Sequence, residues 1–434
     1  MALNDVSPSH AEGEPHPTRN GKFLLGFFLL AILFSVGQAH RSSGGVLSSV
    51  FWDEFGLSPS LIAFLVGAMF IAQGLGQLPG GVFVDRLGTR RTLAIFAIVA
   101  AIGCAVAALS SGWHGVLLGR ILIGIGFAPM LNGAVRYFLE WTGGDRLSTI
   151  TGRFLSIGMV GGLLGTGPLA VAIELYGWRI VYIAIAFLTV VLGIVLFLVL
   201  QESPDGNAAS RPKSSMKEVL SGLATVARDP EIRPILFVAP FLYAPSQILV
   251  GLWAGPYLAD IHGLDIVTRG FALTVMMIGM GTGVLVYGPI ETRLGKRKPI
   301  VIAGALLVAF LLAALALVGH LSMVLAVALS TAVIFASTFF VVVISHGQSM
   351  FSKEYSGRAF GMIGLLGVSG VFASQSLTAW ILSLFPEVPG ATGSLEGYQA
   401  IFLTMAAIFV AIAAIYTRTR EIPLRRMAEQ VAHP

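Results

Sequence analysis

The sequence predicts an all-α membrane protein: twelve transmembrane helices in two pseudo-symmetric six-helix bundles. Three observations carry that expectation. Of 434 residues, 56% are hydrophobic and 11% charged, whereas soluble domains carry about 25% charge. The apolar residues gather into twelve runs, and roughly 20 helical residues cross a hydrocarbon core of about 30 Å. Finally, a loop recurs. GGVFVDRLGTRR at 80–91 is echoed by GPIETRLGKRK at 288–298, so that Gly81, Arg86, Leu87, Gly88 and Arg90 return as Gly288, Arg293, Leu294, Gly295 and Arg297, each displaced by 207 positions. A displacement of nearly half the chain marks one unit used twice.

The elements follow in order. Residues 1–21 form a polar tail without a cleavable signal, because the first apolar run is too long for a signal peptide's core. The first bundle, 22–201, is expected to hold spans near 22–50, 59–80, 92–111, 114–138, 149–173 and 180–201. The second, 234–417, holds 234–258, 267–290, 299–319, 321–347, 359–384 and 398–417. Only a helix satisfies its own backbone at such length in lipid. The shortest connections fall at 174–179 and around Gly319–His320. Between the bundles lies a polar linker, 202–233, in which Met216–Val226 fits either a short amphipathic helix or a solvated strand of linker. A tail, 418–434, closes the chain. Gly152–Arg153 and Gly357–Arg358, 205 residues apart, give a second echo of the duplication.

The net charge of +5 is a topology signal and not a nucleic-acid footprint. Basic residues crowd alternate connections: Arg86, Arg90 and Arg91; Arg146 and Arg153; Arg211, Lys213, Lys217, Arg228 and Arg233; Arg293, Lys296, Arg297 and Lys298; Lys353 and Arg358; Arg418, Arg420, Arg425 and Arg426. The opposite connections hold Arg179 and Arg269 among Asp53, Glu54, Asp260, Asp265, Glu387 and Glu396. The positive-inside rule then puts both termini in the cytoplasm. Cys104 is the single cysteine and excludes an intrachain disulfide. No cofactor is expected, and His10 and His16 are too few for a metal site.

Gly81, then Asp85-Arg86-Leu87-Gly88-Thr89-Arg90-Arg91, resembles the loop signature between helices two and three of the major facilitator superfamily. With the twelve spans, the central linker and the second-half echo, the resemblance covers about residues 22–417. It implies a transporter working by alternating access. It also implies that Asp85 clasps the amino terminus of span eleven near Gly357, steadying the outward-open state; a helix amino terminus attracts anions. In the second copy Thr292 takes the aspartate's place and Glu291 lies one position early. That half is expected to be a basic relic without the clasp. Gly162–Ala170 in span five looks faintly like the antiporter motif of drug exporters but lacks its closing glycine pair.

Arg41 falls inside span one and Arg120 inside span four. A buried arginine costs about 2.5–3.5 kcal/mol at mid-bilayer, so it is rarely idle. Arg120 lies about 10 Å in from Trp113, and Arg41 roughly 28 Å beyond Lys22, counting ~1.5 Å per residue. Arg41 shares a polar or small stripe with Gln38, Gly45 and Ser48. In the family, helices one, four, seven and ten line the central cavity, which implies that Arg41 and Arg120 meet there. Alternatively, Arg120 orders helix contacts only. His40 points about 100° from Arg41 and reads as an interhelical residue or a proton carrier, while Arg136 snorkels or pairs with Glu140. Span seven, with Pro234, Pro240, Pro245 and Pro256, is expected to be kinked and to line the cavity. Its Tyr243 and Gln247 share a face and suit a substrate. Gln73, Gln77, Ser374 and Gln375 are fainter candidates, and His346 reads as interhelical.

Span interiors lack carboxylates. The expectation is therefore a secondary active or facilitative transporter of a small anionic or zwitterionic solute, a symporter or exchanger, with a proton or counter-solute as possible coupling partner and a monomer as the working unit. Drug/proton antiport is the alternative, and a transporter-like sensor without flux is a third. No nucleophile–base pair, metal-ligand cluster or phosphate-binding glycine loop suggests an enzyme.

Overall fold

The structure is a computed structural model that describes residues 17–142, 147–204, 215–351, 353–386 and 388–421. Residues 1–16 with His10 and His16, residues 422–434 with Arg425 and Arg426, and Arg146, Arg211, Lys213 and Glu387 lie outside those residues. Twelve helices are long and apolar enough to cross a membrane, and no strand occurs among the described residues. Spans one to six are Gly21–Ser42, Pro59–Leu87, Thr89–Leu109, Trp113–Thr142, Thr149–Tyr176 and Trp178–Val199. Spans seven to twelve are Arg233–His262, Ile266–Leu294, Lys298–Leu321, Met323–Ser349, Tyr355–Leu382 and Leu395–Tyr416. The end of the molecule that carries the linker is called here the linker end, and the other the far end.

The turns follow from residue chemistry. Ser58 precedes Pro59 and its hydroxyl accepts the Leu61 amide, so span two starts with a capped, proline-led turn. Both copies of the repeated loop turn on a glycine at positive φ, Gly88 at 85° and Gly295 at 62°, which side-chain-bearing residues rarely adopt. Span one breaks at Ser43, whose hydroxyl turns back to the His40 carbonyl at 2.9 Å, and continues as the helix Gly44–Phe55. The linker forms a helix, Met216–Arg228, started by a capping box between Ser215 and Glu218.

Span seven departs most from a regular helix. Its prolines divide it into Arg233–Val238, a 3₁₀ turn at Ala239–Phe241, Ala244–Ile248, a π turn at Leu249–Trp253, and Ala254–His262. Each proline removes a backbone donor, and a π turn shifts the carbonyl register. The kink read from sequence is thus a chain of five short pieces.

Within bundles, span three packs on spans four and six, and span nine on spans ten and twelve. Spans three, six, nine and twelve turn Ile98, Phe187, Phe310 and Val410 outward, giving an apolar belt that suits lipid. The bundles meet through spans one and seven, two and eleven, and five and eight. Small residues make the closest of these approaches. A side chain at Gly44 would run into the Gly251 carbonyl, one at Gly45 into the Val250 carbonyl, and one at Gly255 into the Gly45 carbonyl.

Hydrogen bonds join the bundles in the far half. The Ser48 hydroxyl donates to the Leu252 carbonyl (3.1 Å), and Arg269 Nη2 donates to Ser49 Oγ (2.8 Å). The Gly167 amide donates to Thr274 Oγ1 (2.9 Å), which also pairs with Thr166. Toward the linker end, a Cβ at Gly288, Gly357, Gly361 or Gly364 would meet nothing within 4 Å. The molecule is sealed at the far end and parted at the linker end.

Candidate functional site

The inter-bundle face just inside the seal holds Arg41. It sits one turn before Gly44 on span one, as Gln247 sits one turn before Gly251 on span seven. Because Gly44 and Gly251 touch, both side chains lie at one depth on facing surfaces. The Arg41 guanidinium lies 5.8 Å from the centroid of the Phe70 ring and 5.8 Å from that of Tyr243, a cation–π setting from both bundles. Its Nη1 donates to Gln38 Oε1 at 3.4 Å. Phe340 packs edge-on against Tyr243 with centroids 5.0 Å apart. Gln38, Arg41, Tyr243 and Gln247 are each half-buried, so this patch remains reachable.

The broken helix presents this face. Gln375, fully buried on span eleven, donates its Nε2 to the Gln247 carbonyl at 3.0 Å, at the point where the π turn disturbs the helix register. Gln247 Oε1 has no partner. The arrangement therefore offers one guanidinium, one phenol and amide groups on aromatic walls. It can bind a carboxylate and hydrogen-bond to hydroxyls beside it. Among the described residues no group of three or more His, Cys, Asp or Glu is placed to hold a metal.

Arg120 is elsewhere. Its side chain is wholly buried inside the first bundle, where Nη2 donates to the Val66 carbonyl at 3.1 Å and Tyr182, Cys104 and His40 surround it. The expected meeting of Arg41 and Arg120 does not occur in this state. The reason lies in the preceding residue: Gly119 packs against the backbone of Gly103 on span three, which turns Arg120 about 100° away, into the bundle. His40, on the other side of span one from the patch, contacts Cys104 Sγ at 3.4 Å and is buried. Gln73 and Ser374 are buried, with an unpartnered oxygen each. His346 bridges the Tyr416 hydroxyl and the Arg420 carbonyl.

The repeated loops are both tied to their own bundles. Asp85 Oδ1 accepts from Arg136 Nη1 at 2.7 Å, so Arg136 pairs with the acid of the repeated loop, a partner the sequence reading did not name. Here Asp85 joins span two to span four, and among the described residues it forms no bond to span eleven. Arg86 and Arg293 are exposed, a Cβ at Gly81 would meet only the Asn132 amide at 3.7 Å, and Gly288 faces open space. The second loop is not a relic. Arg297 Nε donates to Glu291 Oε1 at 2.6 Å and Nη1 to Ser349 Oγ at 2.8 Å, while Ser345 donates to the same Glu291 oxygen. Glu291, one position early in sequence, thereby ties the loop to span ten as Asp85 ties its loop to span four.

Sequence reasoning missed two further glutamates. Glu202 accepts from the Arg90 amide at 3.2 Å, and Glu421 accepts from the amides of Arg297 and Lys298 at 2.9 and 2.8 Å. Each stands just after the last span of its bundle and caps the third. Their common place after spans six and twelve was the available signal. Arg90 also lies 5.5 Å from the Phe197 ring centroid.

The sequence profile of the Major Facilitator Superfamily matches residues 23–373 and 236–432. The chain is 22% identical to a hexuronate transporter of Bacillus subtilis (strain 168), over 88% of this chain and 93% of that protein. It is 23% identical to a putative tartrate transporter of Agrobacterium vitis, over 89% of this chain and 88% of that one. Among solved structures, the nucleoside transporter NupG superposes with a TM-score of 0.73 at 16% identity, over 90% of this chain and 98% of that chain. At that identity the likeness shows the fold alone.

Proposed function

Since this chain belongs to the Major Facilitator Superfamily, we propose that it carries a small organic anion of the sugar-acid class by alternating access, with Arg41 holding the carboxylate. The single observation behind this reading is Arg41. It is a cation inside the membrane, half-buried between the bundles, and among the described residues the neutral Gln38 is its one hydrogen-bond partner. Such a charge is costly without an anion, and a bidentate carboxylate supplies one. Gln38, Tyr243 and Gln247 add hydroxyl-binding groups on both bundles, so the solute bridges the halves that must move. The names of the hexuronate and tartrate relatives fit this class.

The linker end is the cytoplasmic end in this reading, by the positive-inside rule, and both termini lie in the cytoplasm of a bacterial inner membrane. The state described is then inward-open. Gly81, Asp85, Arg86, Gly88 and Arg90, with Gly288, Arg293, Gly295 and Arg297, form the inner gate. The pair Asp85–Arg136 is its released form, and Asp85 turns to span eleven when the inner side closes. Among the described residues no carboxylate contacts Arg41, and in this reading coupling runs through a proton carried on the solute or through a counter-solute. The working unit is a monomer, since the patch is built within one chain.

Sealed vesicles containing the purified protein test this. Saturable uptake of D-galacturonate, with no uptake of the neutral D-galactose, is the expected result. Equal uptake of both sugars, or binding of the acid without flux, would overturn it.

A further inference from the structure

Resting on that reading, we infer that the site accepts polyhydroxylated solutes bearing one carboxylate and discriminates against those bearing two. The relatives do not decide this, because a hexuronate has one carboxylate and tartrate has two. The distribution of cations in this chain does.

Among the described residues, Arg41 is the one lysine or arginine on the inter-bundle face at this depth. Arg120 is wholly buried within the first bundle. Arg269 lies at the far-end seal, bonded to Ser49, with Asp53, Asp260 and Asp265 around it. Arg136 is engaged by Asp85 and Arg297 by Glu291. The remaining described lysines and arginines lie at span ends or on the linker helix.

The rest of the site is neutral, made of amide and phenol groups on aromatic walls. Gln38 Oε1 already accepts from Arg41. Gln375 has its amide nitrogen fixed on the Gln247 carbonyl, which leaves its own oxygen pointing elsewhere without a partner. Gln247 Oε1 is likewise unpartnered. Amide oxygens welcome hydroxyl donors, and sugar hydroxyls supply them. A second carboxylate offers acceptors only. It would shed its water to meet aromatic rings and neutral amide and phenol groups with no cation to compensate, which is the costly case for a buried charge. One guanidinium therefore selects one charge.

The test uses a matched pair, L-galactonate and galactarate. They share the carbon chain and secondary hydroxyls, and differ in a terminal CH₂OH against a second carboxylate. Each is titrated as a competitor of D-galacturonate uptake in vesicles. L-Galactonate is expected to compete at least about tenfold more tightly, the factor that 1.4 kcal/mol represents. Galactarate competing equally or better, while uptake still depends on Arg41, would overturn the inference and leave the anion reading standing. It would mean that a second cation, with Arg120 the nearest in span order, turns to the route in another state. Failure of D-galacturonate itself to be taken up would remove the anion reading, and this inference with it.

Discussion

Arg41→Ala is expected to weaken the apparent affinity for D-galacturonate by about 100-fold or more, with the protein still reaching the membrane. A hydrogen bond to a charged partner contributes about 1.5–3 kcal/mol, and a carboxylate on a guanidinium makes two of them in parallel. Losing about 3 kcal/mol of this converts to roughly two decades. Arg41→Lys keeps the charge but loses the fork, so an intermediate loss is expected. Thermal unfolding of the empty protein separates this effect from misfolding. Removing a half-buried cation that has only an amide partner should leave the unfolding temperature unchanged or raise it. An Arg41→Ala protein that folds as well as wild type and transports normally would remove the anion argument.

Gly255→Val is expected to abolish cycling by a different route. Its added side chain would fall on the Gly45 carbonyl, and neither backbone can yield as a flexible side chain would. Overpacking of this kind costs about 1–3 kcal/mol. Here the cost applies only to the state sealed at the far end, so the equilibrium shifts about 5–150-fold toward the opposite state. Ser48 reports the change, because it is fully buried in the seal. In a Cys104→Ala background, a Ser48→Cys probe should resist a membrane-impermeant maleimide. Adding Gly255→Val should expose it, and Gly255→Ala should have the same effect to a smaller degree. Unchanged protection together with normal transport would show that the glycine contact does not hold the seal.

Much of the fold was legible because lipid imposes a length and a polarity on every span. The twelve runs, the linker and the glycine turns of the repeated loops all follow from those constraints. Span seven was legible as well, since four prolines cannot sit in an unbroken helix. What composition and spacing do not give is the direction in which a side chain on a packed helix points. Arg120 illustrates this. Its depth matches that of Arg41, but Gly119 commits the helix to span three and turns the arginine inward.

Partners distant in sequence were equally hidden. Asp85 meets Arg136 across 51 residues, and Arg297 meets Glu421 across 124. The misplaced acid of the second loop, Glu291, looked like decay because the motif was read by position. In space it fills the role of an aspartate one residue later. Gln375 was noted only faintly, for its amide matters through the carbonyl that a π turn displaces.

In the proposed reading the protein divides into a far-end seal, an inner gate and a binding patch, about one helical turn separating patch from seal. The patch is the part on which the functional account stands. The most direct test is an experimental structure of the protein with D-galacturonate bound. The account predicts the carboxylate within hydrogen-bonding distance of the Arg41 guanidinium, with hydroxyls on Gln38, Tyr243 or Gln247. A carboxylate held by Arg120, or a sugar bound with Arg41 turned away from it, would contradict the account.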